Sequence, residues 1–592
     1  MKIMINKIWL IKCLVILGVF ILFNGYLYAQ DTAKIFLDFE NNPVFSKLPD
    51  FSYAGYQYGE KDIPVIDKNI FNVQRYGVTP NVEVDQTKSL QVLIDKVGKK
   101  GGGVIYFPKG KYYLNLDSIH HQSLKINYSN IILRGEGSDE NGTILYSKYP
   151  LTQHEVSPWL SPAFIQTATN LQNTTAFWGL DFLDTSKVGA AISTSAGTVN
   201  DKIQPAEVVA NLLTDAFKGQ KIINVTSTRN LKVGSVIILG MYNTSDDCNL
   251  MKDILKPIET FEPYEKSAID AGKSGAASYQ WLVEVDQVLS ETILQLKQPL
   301  RRDILMKYKP VVAAAPMLSG IGIEHLRLES GWKGFYCHHG CDKSIPAQGR
   351  EMDYGWTAIT LCRIKHSWIN DVAIHNFTNP IYFLDSRNCT AENINISGYD
   401  GHSGIKIYSH AADNLITNVH FYNNYTHVLS GEGCAYGNVF SNVTYSPTNN
   451  KLGNFDFHGF ADRRFSPAAD NLFENIVGLQ QVYSGGAPNN MPQTAGDNTW
   501  WNIEEGSFDQ SNNEFFGCWL WKEKTNFHAP KEHLKMYPKS ILVGVYSPIS
   551  KIKIDGGEGD IQNEWIYTEH FNQGRVLPAS LREAQLKLRF GR

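Results

Sequence analysis

A short motif returns four times in the middle of this 592-residue chain. Asn370-Asp371-Val372-Ala373-Ile374, Asn393-Ile394-Asn395-Ile396, Asn418-Val419-His420-Phe421 and Asn442-Val443-Thr444-Tyr445 follow at intervals of 23, 25 and 24 residues. A period near 24 matches one coil of a parallel β-helix, and a recurring asparagine suits a stacked turn ladder. Roughly a dozen residues after each motif lies a second apolar strand: Ile381-Tyr382-Phe383, Gly404-Ile405-Lys406-Ile407, His427-Val428-Leu429 and Phe455-Asp456-Phe457-His458. Length alone would suggest several domains, but one solenoid can run for hundreds of residues.

The start of the coils has its own pattern. Phe71-Asn72-Val73 precedes an amphipathic stretch from Thr87 to Val97, with Leu90, Leu93, Ile94 and Val97 on one face. Gly101-Gly102-Gly103 ends it, and two strands follow in "YFPKGKYYL" (106–114). This order resembles the opening of the pectate-lyase-like superfamily, whose members are right-handed parallel β-helices. The expected fold is therefore all-β: a right-handed parallel β-helix with an N-terminal capping helix. The rhythm breaks over 150–315, where Ser235-Val236-Ile237-Ile238-Leu239 and Trp281-Leu282-Val283-Glu284-Val285 point to a small inserted β subdomain. The remaining limits are an N-terminal extension at 30–70, first coils at 71–149, a main stack at 316–520, and C-terminal coils and tail at 521–592. The aromatic stretch "FSYAGYQYGE" (51–60) is expected to cap a solenoid end, with the lining of a cleft as the alternative.

Residues 1–29 read as an export signal: Lys2, Lys7 and Lys12, an apolar run from Leu14 to Phe23, then Ala29. A periplasmic or secreted monomer is expected, with no membrane partner after cleavage. Beyond Cys13, seven cysteines at irregular spacing do not form a disulfide framework. Cys337-His338-His339-Gly340-Cys341 has ligand chemistry, but no second pair at zinc-site spacing follows, so a local bridge or free thiols is the favoured reading. With 55 basic and 59 acidic residues, the net charge of −4 provides no field for a nucleic-acid backbone.

Strand alternation selects the candidate site. If Ile405 and Ile407 point inward, Lys406 points outward; the same logic turns Tyr382, Asp456 and His458 outward. Stacking then places Tyr382 beside Lys406, with Asp456 two coils away, roughly 10 Å. His402 and His410 lie at the edge, Arg463 and Arg464 follow the Asp456 strand, and Trp501 is a candidate wall. Two chemistries suit such a groove. β-Elimination on a uronic acid needs a donor for the carboxylate, a base for the C5 proton and an acid for the leaving oxygen. Glycoside hydrolysis needs two carboxyl groups about 5–9.5 Å apart. Asp456 has only Asp400, Asp462 or Glu432 as loop partners, with no pair on adjacent strands, so elimination is favoured. In that scheme Lys406 or His458 is the base, Tyr382, His402 or His410 the acid, and Arg463 or Arg464 the carboxylate clamp.

A second resemblance extends over the mature chain. The pieces "FSYAGYQYGE" (51–60), "FDFHG" (455–459), "NTWWNI" (498–503) and "LPASLREAQLKLR" (577–589) resemble exported β-helix proteins of marine and gut Bacteroidetes. Such proteins are linked to polysaccharide-degradation loci and described as lyase-like. The resemblance implies an acidic polysaccharide or oligosaccharide as partner, and either chain cleavage or removal of water from a terminal uronate, with ulvan-type seaweed polymers as one source. It also implies Ca²⁺ as an option at the carboxylate, although no calcium ligand set matches residue by residue and no other cofactor is called for. A non-catalytic glycan-binding or adhesin β-helix is the remaining alternative.

Overall fold

The structure is a computed structural model describing residues 31–117, 122–151, 162–167, 191–194, 197–202, 206–245, 249–258, 278–335, 355–448, 453–458, 467–484, 493–506, 513–517, 532–555 and 557–591. Its frame is a right-handed parallel β-helix. In the main stack each coil gives one strand to a 14-stranded sheet and one to an 8-stranded sheet. In the long sheet, Gly322–Ser330, Trp368–His375, Thr390–Ser397, Leu415–Phe421, Val439–Tyr445 and Leu472–Val477 pair successively and in parallel.

The repeated asparagine has a backbone task. Asp371, Asn393, Asn418, Asn442 and Asn475 have φ of 52, 59, 53, 54 and 53°, the left-handed region that Asn and Asp tolerate better than other non-glycine residues. Each bends its strand at the centre, so a coil has three flat sides: two arms of the long sheet, plus the short sheet. Asn393 Nδ2 donates to Asn370 Oδ1 at 3.0 Å and Asn418 Nδ2 to Asn393 Oδ1 at 3.3 Å, which makes the expected ladder real. The first repeat is offset by one residue: Asn370 is in register with Glu392, and Asp371 makes the bend.

A second ladder is buried. Asn414, Asn438 and Asn471 each donate from Nδ2 to Oδ1 of the next member, ending at Asn498, at 2.9, 3.0 and 3.1 Å. The same Oδ1 atoms accept the backbone N–H of the preceding member. These bonds satisfy turn amides that would otherwise be buried without partners. Inside the coils, Ile369, Ala391, Ile416, Phe440, Phe473, Trp500 and Leu542 stack in one in-register row.

The helix Thr87–Lys99 buries Leu90, Leu93, Ile94 and Val97 against the first coils, as its apolar face predicts. The insertion contains six antiparallel strands between Val208 and Ala314. It begins later than the sequence limit of 150, because Ala163–Thr167 is a coil strand that pairs in parallel with Leu124–Ile126 and Thr357–Cys362. Arg301 of the insertion reaches into the turn stack and pairs with Asp413, both buried. Gly437 makes room for it: a Cβ there would collide with the Arg301 guanidinium and the Asp413 carboxylate. The stretch 51–60 does not cap an end. It runs along the flank of the long sheet, where Asn388 Nδ2 donates to Tyr53 O at 2.7 Å and Tyr56 packs edge-on to Trp368 at 5.6 Å. Cys362, Cys389 and Cys434 are buried, while Cys337 and Cys341 lie outside the described residues.

Two outcomes follow from this architecture. Asn438→Ala should destabilise the protein by at least about 2 kcal/mol in urea denaturation, because it orphans several buried groups. Asn393→Ala on the exposed ladder should cost less, about 1 kcal/mol, because alanine tolerates the left-handed conformation less well than asparagine. Glu505 is 2 % exposed, and neither of its carboxylate oxygens has a hydrogen-bond partner among the described residues. Burial pushes its pKa up to about 8 from an ordinary 4.5. The folded state therefore holds a proton that the unfolded chain releases near pH 4.5. Stability should fall as pH rises from there through about 8. Denaturation midpoints of Glu505→Gln should lose that decline.

Candidate functional site

The short sheet orders its strands Gln481–Ser484, Asn454–His458, Tyr425–Glu432, Gly401–Tyr408, Asn379–Leu384, Thr357–Cys362, Ala163–Thr167 and Leu124–Ile126. Ile381, Phe383, Ile405, Ile407, Phe455 and Phe457 enter the core, as alternation requires. Tyr382, Lys406, Ser430 and Asp456 then form one register row on the opposite face. The predicted neighbours Tyr382 and Lys406 are direct Cα partners, and Asp456 lies two strands from Lys406.

This row is not the solvent-exposed face that alternation suggests. Tyr382, Lys406 and Asp456 are 1, 4 and 2 % exposed. Buried charge needs compensation, and the site supplies it in opposite-charge pairs. Lys406 Nζ pairs with Glu432 Oε1, and His427 Nδ1 bonds Asp456 Oδ2. The Lys406 ammonium also lies 5.3 Å from the Tyr408 ring centre and 6.0 Å from that of Tyr382. The Asp456 carboxylate accepts the Nδ1–H of His427, which puts the imidazole lone pair on Nε2. His402 stands edge-on to His427, with ring centres 4.9 Å apart.

His427 was missed by alternation, for a local reason. It shares parity with Leu429 and would point inward in a regular strand. Val428 and Leu429 both enter the core, so the alternation slips by one and His427 returns to the outer face. Glu432, a loop carboxyl by strand alternation alone, ends the strand Tyr425–Glu432. Glu432 and Asp456 therefore occupy adjoining strands, correcting the expectation that no such carboxyl pair exists. Their offset of two residues puts the α-carbons about 8 Å apart, from the usual strand spacing and rise.

Other candidates separate from this cluster. His410 is fully buried in the turn after Gly401–Tyr408, where its Nδ1 meets Asp385 Oδ1 at 2.9 Å. That position is four residues beyond Lys406, where the chain leaves the sheet. Trp501 belongs to the long sheet. Its Nε1 donates to Pro578 O at 2.8 Å, and its ring packs with the terminal helices Lys34–Asn41 and Leu581–Arg589, so it is not a wall of this site. The backbone of His458 is in register with Glu432. Arg463 and Arg464 lie outside the described residues. Among the described residues no group of three or more His, Cys, Asp or Glu side chains is placed to hold a metal ion. Ca²⁺ thus has no fitting ligand set here, and no step is assigned to it.

The frame is a right-handed parallel β-helix. Residues 70–231 match the family model "Rhamnogalacturonase A/epimerase, pectate lyase-like". No curated protein sequence matches the chain. Solved structures similar to it include the tailspike protein gp49 from Pseudomonas phage LKA1, at 10% identity and a TM-score of 0.39, covering 80% of this chain and 70% of that one. The family 28 exopolygalacturonase of Yersinia enterocolitica gives 11% identity and a TM-score of 0.32, covering 86% and 78%. The A-module of the Azotobacter vinelandii mannuronan C-5 epimerase AlgE6 gives 10% and 0.26, covering 81% and 85%.

The charge pairing predicts a particular stability pattern. Glu432→Leu removes the buried carboxylate partner of Lys406 and should cost about 3–5 kcal/mol in urea denaturation. The double variant Lys406→Met/Glu432→Leu should recover most of that loss.

Proposed function

We propose that the protein is a carbon–oxygen lyase acting by β-elimination on a uronic-acid-containing polysaccharide or oligosaccharide, cleaving the chain or removing water from a terminal uronate. The observation that carries this reading is the register row Tyr382–Lys406–Ser430–Asp456, with His427 held by its last member. The row carries a phenol, a cation and, at its far end, an oriented imidazole, the group types that elimination requires.

In this reading the uronate carboxylate is received by the Lys406 ammonium, which stabilises the negative charge developing next to C5. His427 Nε2 takes the C5 proton, because Asp456 fixes the ring with Nδ1–H turned away. The electron pair of the broken C–H bond forms the C4–C5 double bond as the C4–O bond breaks. The Tyr382 hydroxyl gives its proton to the departing oxygen, releasing an alcohol or water. In this reading Lys406 acts as the carboxylate's partner and not as the base, since Glu432 pairs with its ammonium. His402 buttresses His427, while His458, Arg463 and Arg464, which follow Asp456 in the sequence, are taken as further donors to the acidic substrate. The basic, apolar and small-residue succession over 1–29 supports export to the periplasm or beyond.

Hydrolysis is the second reading, favoured by the Glu432 and Asp456 carboxylates on adjoining strands. It ranks lower because each carboxylate already has a basic partner, whereas an inverting or retaining pair needs one protonated acid.

The reading is checked by incubating the mature protein with acidic oligosaccharides and following ultraviolet absorbance and product mass. Elimination generates an absorbing unsaturated sugar without adding water to the total product mass, terminal dehydration lowers the mass by one water, and hydrolysis adds one water without absorbance. Lys406→Ala and His427→Ala should each reduce the absorbing product at least about 100-fold, in the range of general acid–base and electrostatic contributions. Full activity in either variant removes that residue from the scheme.

A further inference from the structure

A groove of about 530 Å³ lies on a different side of the solenoid from the lyase-like site. Its floor is an outer row of the long sheet, in which Asn370, Glu392, Thr417 and Ser441 are in successive register. One wall is the N-terminal strap, with Tyr56 and Ile63; the other is the C-terminal helix Leu581–Arg589, with Leu586. The helix is locked in place because Arg582 donates to Ala54 O at 2.8 Å and Gln585 Nε2 to Pro49 O at 2.8 Å. The groove is therefore a preformed space between pinned elements, within the size range of small-ligand sites.

The lining specifies the ligand's chemistry. The floor offers amide, carboxylate and hydroxyl groups at the coil repeat of about 4.8 Å, close to the length of one sugar residue. Glu392 is half-buried on this floor and has no hydrogen-bond or ion-pair partner among the described residues. Burial, and then the nearby Asp62 carboxylate, raise its pKa. A carboxylate in that position is satisfied by hydroxyl donors and repels anions. Glu474 and Glu583 are already engaged, the first with Ser580 and the helix N-terminus, the second with Arg582. The remaining charges, Asp62 and Glu392 against Lys61, are negative on balance. Tyr56, Ile63 and Leu586 add the apolar surface on which sugar faces rest.

We infer that this flank groove is a second glycan-binding site, built for two or three residues of an uncharged oligosaccharide and closed to uronates. It is distinct from the elimination site and does not depend on the reading given to that site. Its role would be to hold a neutral stretch of glycan against the solenoid.

The test is calorimetric titration of the mature protein with cellohexaose and xylohexaose, and with an oligogalacturonide of equal length. Binding of at least one neutral hexasaccharide is expected. Thr417→Arg, which fills the floor from a half-buried position, should weaken that binding at least ten-fold, and Glu392→Gln should weaken it several-fold. His427→Ala should leave it unchanged, and Thr417→Arg should leave the unsaturated product of uronate oligosaccharides unchanged. Thermal midpoints within a few degrees of the parent show that the variants are folded. The inference is overturned if the parent binds neither neutral hexasaccharide. It is equally overturned if Thr417→Arg binds as the parent does, or if His427→Ala abolishes the binding.

Discussion

A left-handed residue at the same bend of each coil governs the main stack. Here the strands turn at a single position of positive φ, and asparagine or aspartate accepts that conformation at lower cost than other non-glycine residues. Placed 22 to 33 residues apart, Asp371, Asn393, Asn418, Asn442 and Asn475 divide the long sheet into two arms and bring the chain back in register. The row Tyr382–Lys406–Ser430–Asp456 exists only because that register holds on the short sheet. The buried ladder from Asn414 to Asn498 secures the other corner by satisfying backbone amides that the turn removes from water.

The candidate site is a problem in buried electrostatics. Lys406 and Glu432 neutralise one another, and Asp456 and His427 form a second unit. Isolated charges at such depth would cost several kcal/mol each. Once formed, the pairs hold donors and acceptors in fixed directions. Similar pairing fastens the insertion to the stack through Arg301 and Asp413, at the level where Gly437 leaves space.

Much of this was readable from the chain. Period and alternation together located Tyr382, Lys406 and Asp456, because a regular parallel stack converts sequence spacing directly into neighbours. His427 escaped because two consecutive core residues, Val428 and Leu429, interrupt the alternation, and no periodic rule anticipates such a slip. Burial of the row escaped because alternation tells which face a side chain takes and not what covers it. The tryptophan pair shows the same limit. Trp500 enters the main core while Trp501 faces the terminal helices, so adjacent letters serve different clusters. The limits of the insertion were blurred because Ala163–Thr167, a coil strand, sits between stretches without a recognisable repeat.

The N-terminal segment touches the stack from its last coil to its first. Backbone N–H groups of Lys34 and Ile35 meet the Glu569 carboxylate, Tyr56 N–H meets Thr390 Oγ1, and Ile66 O accepts from Arg134. Arg134, Glu324, Asn370, Glu392, Thr417, Ser441, Glu474, Trp501, Val543 and Glu569 form one unbroken rank of parallel partners beneath it. A repeat protein can ordinarily gain or lose a unit and remain well folded. Here the segment acts as a tape measure of fixed length laid along the repeats, so an extra or missing coil would leave one of its fastenings out of reach. The architecture is modular in its parts and indivisible in its number.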